Sequence, residues 1–289
     1  MNAYRQIQNA VDLIEHHLQQ ELGIREIAAA AGYSSFHFQR MFQAISGFSV
    51  QEYIRKRRLT EAGRLLLDSE EGILPIALNA GYQSQEAFTR AFESYTGTTP
   101  GKFRQNSAAF SGLEPISFIG LEHRTPSDAG VSRPDIVRLE RRIVIGYEYP
   151  THLNDGQHYR EIPGFYDDFG RNGRFSLIPG RLAPDMAYGV ACGFKDDGGF
   201  SFVVGELCDE SAVPPGDGYV KIELPAGTYA EFKAFGHADL VERTRNFIYS
   251  CWLPGSNYTR GDGPDFEITD VMHSVYPDRM RIRIFIPLL

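Results

Sequence analysis

Residues 24–47, IREIAAAAGYSSFHFQRMFQAISG, decide the fold of the first third of the chain. Ile24–Ala30 predicts a short helix whose alanines allow close backbone approach. Gly32 stands where that helix must end with φ > 0, a geometry glycine adopts without steric cost. Ser34 follows as a candidate N-cap, its hydroxyl available to the orphan amides of the next helix. That second helix carries Phe38, Met41, Phe42 and Ile45 inward and leaves Phe36, His37, Gln39 and Arg40 on other faces. A short helix, a glycine corner and an amphipathic second helix make a helix-turn-helix.

The pattern returns at residues 73–97, ILPIALNAGYQSQEAFTRAFESYTG, where Ile76–Ala80, Gly81-Tyr82, the cap Ser84, and Phe88 and Phe92 take matching roles. Between the copies, VQEYIRKRRLTEAGRLLLDSE (50–70) predicts a single helix. At 1.5 Å per residue, ~18 helical residues span roughly 27 Å. Such a rod holds two recognition helices about one turn of B-DNA apart, ~34 Å, so both enter successive major grooves. One chain then carries two reading heads, and a monomer suffices for DNA binding.

Further out, apolar residues keep helical spacing through residue 105 (Ile7, Val11, Ile14, Leu18; Leu59, Ala62, Leu65, Leu66). Residues 1–107 read as one all-α DNA-binding domain. Gly, Pro and Ser punctuate the following stretch, and 108–133 reads as a linker. Residues 134–289 then carry β-type runs: Ile136–Tyr149, Met186–Phe194, Phe200–Leu207, Tyr219–Leu224, Thr228–Phe235, Asp265–Thr269 and Met280–Leu288. Helical stretches interrupt them at His158–Gly170 and Ala238–Trp252. The order predicts an α+β domain made by duplicating a strand-helix-strand-strand unit on one curved sheet.

The net charge of −8 is unevenly placed. Residues 1–110 hold 11 basic and 11 acidic residues, so the whole acidic excess lies beyond them. A neutral module still grips DNA when its cations cluster on one face. Cys192, Cys208 and Cys251 show neither metal-ligand nor disulfide spacing and read as small buried hydrophobes. No stretch approaches the ~20 apolar residues of a membrane helix. The polar start reads as an amphipathic helix, not a signal peptide, so a cytoplasmic location and no membrane partner are expected. With no Walker loop, dinucleotide fingerprint or zincin helix, no catalytic residue, metal or cofactor is expected either.

Gln39 and Arg40 are the candidates for base contact in the first unit. Arg forks onto guanine O6/N7 and Gln onto adenine N6/N7, each bidentate pair giving roughly 1–3 kcal/mol of discrimination. The basic run Arg55-Lys56-Arg57-Arg58 reads either as a phosphate clamp, Arg55 and Arg57 foremost, or as a solvated face.

Residues 6–105 resemble the DNA-binding domain of the AraC/XylS family. The resemblance is carried by Ile76, Ala77, Gly81, Tyr82, Ser84, Phe88, Phe92, Gly97, Pro100, Phe103 and Arg104. With a regulatory domain placed C-terminally, the chain looks like the Rob-like subgroup. The resemblance implies a transcription activator of drug or stress response, with double-stranded promoter DNA, RNA polymerase and a small-molecule effector as partners. It assigns Phe36 to the groove-facing side, where local core is the other reading. It matches Gln85, Thr89 and Arg90 to positions that meet DNA. Glu86 departs from the pattern: its carboxylate either accepts from cytosine N4 or complements the positive end of its helix.

Residues 134–289 resemble the GyrI-like small-molecule-binding domain, on AGTYAEFKAFG (226–236), FIYSCWLPGSNY (247–258) and GPDFEITD (263–270). The resemblance implies a ligand between the repeats, against aromatics and a buried glutamate, and Glu267 falls at the glutamate's position. A desolvated carboxylate is costly without a positive partner. Aromatic faces attract cations within ~6 Å, contributing roughly 0.5–2 kcal/mol. Together they predict a site for a lipophilic, cationic molecule walled by Trp252, Tyr258, Tyr147 and Tyr188, aromatics that also read as plain core. Two other readings of this domain stand beside sensing: a hydrolase in which the glutamate activates water, and a surface that binds another protein.

Overall fold

The computed structural model describes residues 3–106, 110–119, 131 and 133–289. The chain forms two compact units, a helical one over 1–42 and 48–122 and a sheet-bearing one over 123–289, with 43–47 grouped with the second.

In the helical unit, α1 (Ala3–His16) buries Ile7, Val11 and Ile14 along one stripe, as their spacing predicts. The first helix pair is α2 (Ile24–Ala30) and α3 (Ser35–Ser46); the second is α5 (Ile73–Asn79) and α6 (Gln85–Thr96). Between them α4 (Val50–Asp68) runs unbroken for 19 residues, about 28 Å. Its N-terminus is capped by Ser49, whose side chain accepts from the Glu52 amide at 3.1 Å. The second pair closes over a core of Leu59, Leu66, Ile76, Phe88, Phe92 and Phe103, the last contributed by α7 (Pro100–Asn106).

Composition put residues 110–119 in a linker, but they hydrogen-bond into the helical unit. The Leu113 amide donates to Thr60 Oγ1 (3.0 Å) and Tyr95 Oη (2.9 Å), Ile116 to Tyr53 Oη (3.2 Å), and Phe118 to Gln8 Oε1 (2.7 Å). Phe118 is buried and meets Phe42 edge-on. Turn-forming residues mark the absence of regular structure. They do not reveal an extended backbone satisfied by side chains. The linker residues 108–109, 120–130 and 132 lie outside the described residues.

The second unit is an eight-stranded antiparallel sheet: β1 (Asp135–Leu139), β2 (Arg142–His152), β3 (Met186–Cys192), β4 (Gly199–Cys208), β5 (Tyr219–Leu224), β6 (Gly227–Gly236), β7 (Asp265–Asp270) and β8 (Met280–Leu288). Helices α8 (Gln157–Arg171) and α9 (Asp239–Phe247) follow β2 and β6, and a π-helical turn, Ile248–Trp252, extends α9. The order across the sheet is β1-β6-β8-β7-β3-β4-β2-β5. It is the predicted duplication: β2-α8-β3-β4 and β6-α9-β7-β8 mirror each other about the β3·β7 pair. One expectation needs correcting. The run Ile136–Tyr149 is two strands, and β1 pairs with β6 while β2 pairs with β4 and β5. The break falls at Glu140-Arg141, which carries no glycine or proline to announce it.

The two faces of the sheet differ. Ile145, Phe202, Val204 and Ala191 face α8, where Phe165 and Phe169 pack on them. The opposite face makes its own core from strands alone, with contributions from Val137 on β1, Tyr229 on β6, Phe285 on β8, Phe266 and Ile268 on β7, Tyr188 and Val190 on β3, Val203 on β4, Val144 on β2 and Leu224 on β5. Strands lie ~4.8 Å apart, so the edges of a flat eight-stranded sheet would be about 33 Å apart. Residues of both edge strands share one core, so the sheet is strongly curled.

Candidate DNA-reading helices and effector site

The two helix pairs turn their corners by the same hydrogen bonds. Gly32 N–H donates to Ala29 O (2.9 Å) and Tyr33 N–H to Ala28 O (3.0 Å); Gly81 N–H donates to Leu78 O (3.0 Å) and Tyr82 N–H to Ala77 O (3.0 Å). Both glycines are left-handed, at φ +74° and +83°, the αL corner that only glycine forms cheaply. Ser84 Oγ then accepts from the Ala87 amide at 3.2 Å, and Ser34 Oγ from His37 at 3.4 Å. Each recognition helix seats two phenylalanines one turn apart: Phe38 with Phe42 at 5.7 Å between centroids, and Phe88 with Phe92 at 5.3 Å.

On α6, Gln85, Glu86 and Arg90 are exposed and Thr89 is half-buried, so the predicted reading face is open to solvent. Glu86 settles into its helix. The pKa of its carboxyl is lowered first by its own backbone amide and then by the Ser84 hydroxyl, with Arg90 adding to them. These are the bonds of a capped first turn.

On α3 Phe36 is half-buried, and Gln39 and Arg40 are 4% and 6% exposed in the whole chain. Phe38, Met41 and Phe42 form its apolar side.

The basic run on α4 also divides. Successive helical residues are ~100° apart, and four in a row cannot share one face. Arg55 is exposed, as a phosphate contact requires. Lys56 pairs with Glu52 at 2.7 Å and lies over the Phe48 ring at 4.7 Å. Arg58 donates to Leu18 O (2.6 Å) and Gln20 O (2.7 Å). Arg57, 3% exposed, is a structural residue and no clamp. It donates through Nε to both Glu15 oxygens (3.0 and 3.1 Å), through Nη2 to Glu15 (2.8 Å) and Glu61 (3.0 Å), and through Nη1 to Leu113 O (2.7 Å). Tyr53 Oη completes the shell of Glu15 at 2.6 Å.

In the sheet unit, residues directly opposed across antiparallel strands point to the same face. One such row runs across seven strands: Phe232, Ile284, Glu267, Gly189, Val204, Tyr147 and Tyr219. It lies on the side of α8 and α9. Glu267, third of the seven and next to the central Gly189, is 2% exposed. It accepts from Tyr166 Oη on α8 (2.8 Å) and from Arg245 Nη2 on α9 (2.6 Å). Burial works against the charge of Arg245, yet Glu267 outweighs it and the guanidinium pKa is raised. Burial, with Glu267 beside it, likewise pushes the Tyr166 hydroxyl well up, so Tyr166 acts as a donor. Two residues along the same face, Asp265 repeats the arrangement, taking Tyr249 Oη and Arg260 Nη2 (2.8 Å).

Gly189 makes the central contact feasible. A Cβ there would sit 2.2 Å from Tyr166 Oη, 2.6 Å from the Phe202 ring and 2.9 Å from Glu267 Cγ. At one end of the row Trp252 packs edge-on against Phe232 (5.1 Å) and near-parallel to Tyr258 (5.8 Å). At the other end the Tyr147 ring carries the Arg174 guanidinium 3.9 Å from its centroid. Tyr188 does not belong to the site. It pairs with Ile268, one position out of step with the Gly189–Glu267 pair, so it points to the opposite face and packs on Phe266. Tyr166, Gly189, Arg245 and Arg174 went unnoticed in the sequence, where each sits in a stretch with no spacing signal.

Among the described residues no helix is long and apolar enough to cross a membrane, and no group of three His, Cys, Asp or Glu side chains is placed to hold a metal ion.

Twin helix-turn-helix corners on one rod, followed by a duplicated curved sheet with a buried acid, define a DNA-binding transcription regulator with an effector-binding domain. Residues 135–288 match the family model described as integron-associated effector binding protein, and residues 27–106 match a helix-turn-helix domain model. The chain is similar to the transcriptional regulator Rob of Salmonella typhimurium, 30% identical over 290 residues and 95% of each chain. The multiple antibiotic resistance protein MarA of Escherichia coli is 38% identical over 101 residues, 35% of this chain and 80% of that protein. A solved regulator with an AraC-type DNA-binding domain from Chromobacterium violaceum is 27% identical, with a TM-score of 0.34, over 35% of this chain and 90% of that one. The chain belongs to the AraC/XylS family, in its Rob-like subgroup.

Proposed function

We propose that the protein is a ligand-responsive activator. As a monomer it binds promoter DNA through both helix pairs and recruits RNA polymerase, and it responds to a lipophilic small molecule held on the helix side of the sheet. The repeated glycine corner carries this reading, because it presents two recognition helices from one chain. Gln85, Thr89 and Arg90 on α6 read the second half-site, and Arg55 holds phosphate. Phe36, Gln39 and Arg40 on α3 read the first half-site.

Selection of bound sequences from random duplexes, followed by sedimentation of the complex, tests the reading. One chain per duplex and two sequence blocks about one helical turn apart are expected. A single block bound by a dimer rejects it. The hydrolase alternative is disfavoured by Glu267 itself, whose oxygens already hold a guanidinium and a phenol where a general base needs water within reach.

A further inference from the structure

Within the sheet unit, the buried carboxylate at Glu267 and the ring face of Tyr147 are each occupied by one of the chain's own arginines. The buried carboxylate of Glu267 holds Arg245 at 2.6 Å, and Arg245 is itself 6% exposed. The Tyr147 face, in the same row, holds the Arg174 guanidinium at 3.9 Å, and Arg174 is anchored by Asp168 at 2.6 Å. A neutralised carboxylate no longer gains from an arriving cation, and an arriving anion finds Arg245 already balanced. The aromatic surface that remains is the half-buried Trp252 and the exposed Tyr258, stacked on each other and without formal charge, with the buried Phe232 behind Trp252.

We propose that Arg245 sets the specificity of the effector site by acting as a resident counter-ion to Glu267, so that the site selects uncharged lipophilic molecules over permanent cations. The proposal rests on the effector-binding reading given above and names its ligand class. Arg245 is a positioning and selectivity residue. Taking it away leaves a buried acid without a partner, and a lipophilic cation then becomes the preferred occupant.

Calorimetric titration of the full chain with probes of similar bulk tests this: triphenylphosphine oxide (uncharged), tetraphenylphosphonium (cation) and tetraphenylborate (anion). The wild type should bind the uncharged probe at least tenfold more tightly than either ion. Arg245→Met should reverse the order in favour of tetraphenylphosphonium. Arg245→Met/Glu267→Gln, which buries no charge at either position, should restore the preference for the uncharged probe. Glu267→Gln alone, which leaves Arg245 unbalanced, should gain tetraphenylborate and gives a second route should Arg245→Met fail to fold. If the wild type prefers tetraphenylphosphonium, or the folded single variants keep the wild-type order, the charge assignment is overturned while the effector site stands. Binding of none of the three probes to any folded variant overturns the effector site and the proposal together.

Discussion

Replacing Arg57 with alanine separates a structural arginine from a phosphate clamp. The side chain is buried and gives three hydrogen bonds to Glu15, one to Glu61 and one to the Leu113 carbonyl. Among the described residues, truncation leaves Glu15 with the Tyr53 hydroxyl and strips one of the three hydrogen bonds that hold residue 113. Breaking a buried ion pair by removing one partner costs about 3–5 kcal/mol. For a unit near one hundred residues, each kcal/mol lowers the transition by roughly 4–8 °C, so Arg57→Ala should melt on the order of 12–40 °C early. Scanning calorimetry of the full chain reads this shift directly, and fluorescence anisotropy on labelled duplex gives the salt dependence of binding. The salt slope of Arg57→Ala should match wild type below its transition. The exposed Arg55→Ala should do the reverse, keeping the melting temperature and reducing the slope by about 1. Glu15→Gln/Arg57→Met, which removes both charges, should recover part of the lost stability. Wild-type melting together with a flattened slope for Arg57→Ala would refute the structural assignment.

Gly81→Ala places a Cβ at φ +83°, 2.6 Å from Arg58 Nη1, and should cost about 1–2 kcal/mol while abolishing protection of the second half-site in footprinting. Glu86→Gln should leave the selected DNA sequence unchanged; a shifted base preference at one position would restore the cytosine reading. The Glu86 carboxyl should titrate below the usual carboxylate range by NMR. Its contribution to stability is then present above the unfolded pKa and fades as pH falls through the lower folded value. Gly189→Ala should overpack the centre of the proposed effector site at a cost of about 1–3 kcal/mol and remove probe binding, whereas uptake with wild-type affinity would show that the Tyr166–Glu267 contact is dispensable.

The helical unit was legible because its determinants are local. A glycine corner, a cap and two aromatics a turn apart fall within fifteen residues, and their repetition made the reading secure. Strand positions were equally plain, apart from the joint at Glu140-Arg141, where no residue type signals the step from one side of the sheet to the other. What escaped was pairing between distant residues. Arg245 meets Glu267 across 22 positions and Tyr166 meets it across 101. Helical polarity alone cannot say whether an arginine turns to solvent or to a buried acid. Arg57 and Tyr188 were misjudged for the same reason. The first lies in a charged run, the second one residue away from the position that faces the acid.

Gly189 and Glu267 stand opposite each other where the two copies of the folding unit meet. A feature at that seam in an ancestral, perfectly repeated sheet would have been confronted by its own image. Twin acids there would sit about 5 Å apart and repel; twin glycines would offer nothing polar to hold. The present chain keeps the acid on one side and bare backbone on the other. In this row, two halves that match in strand order therefore differ in charge, and the asymmetry lies on the seam itself.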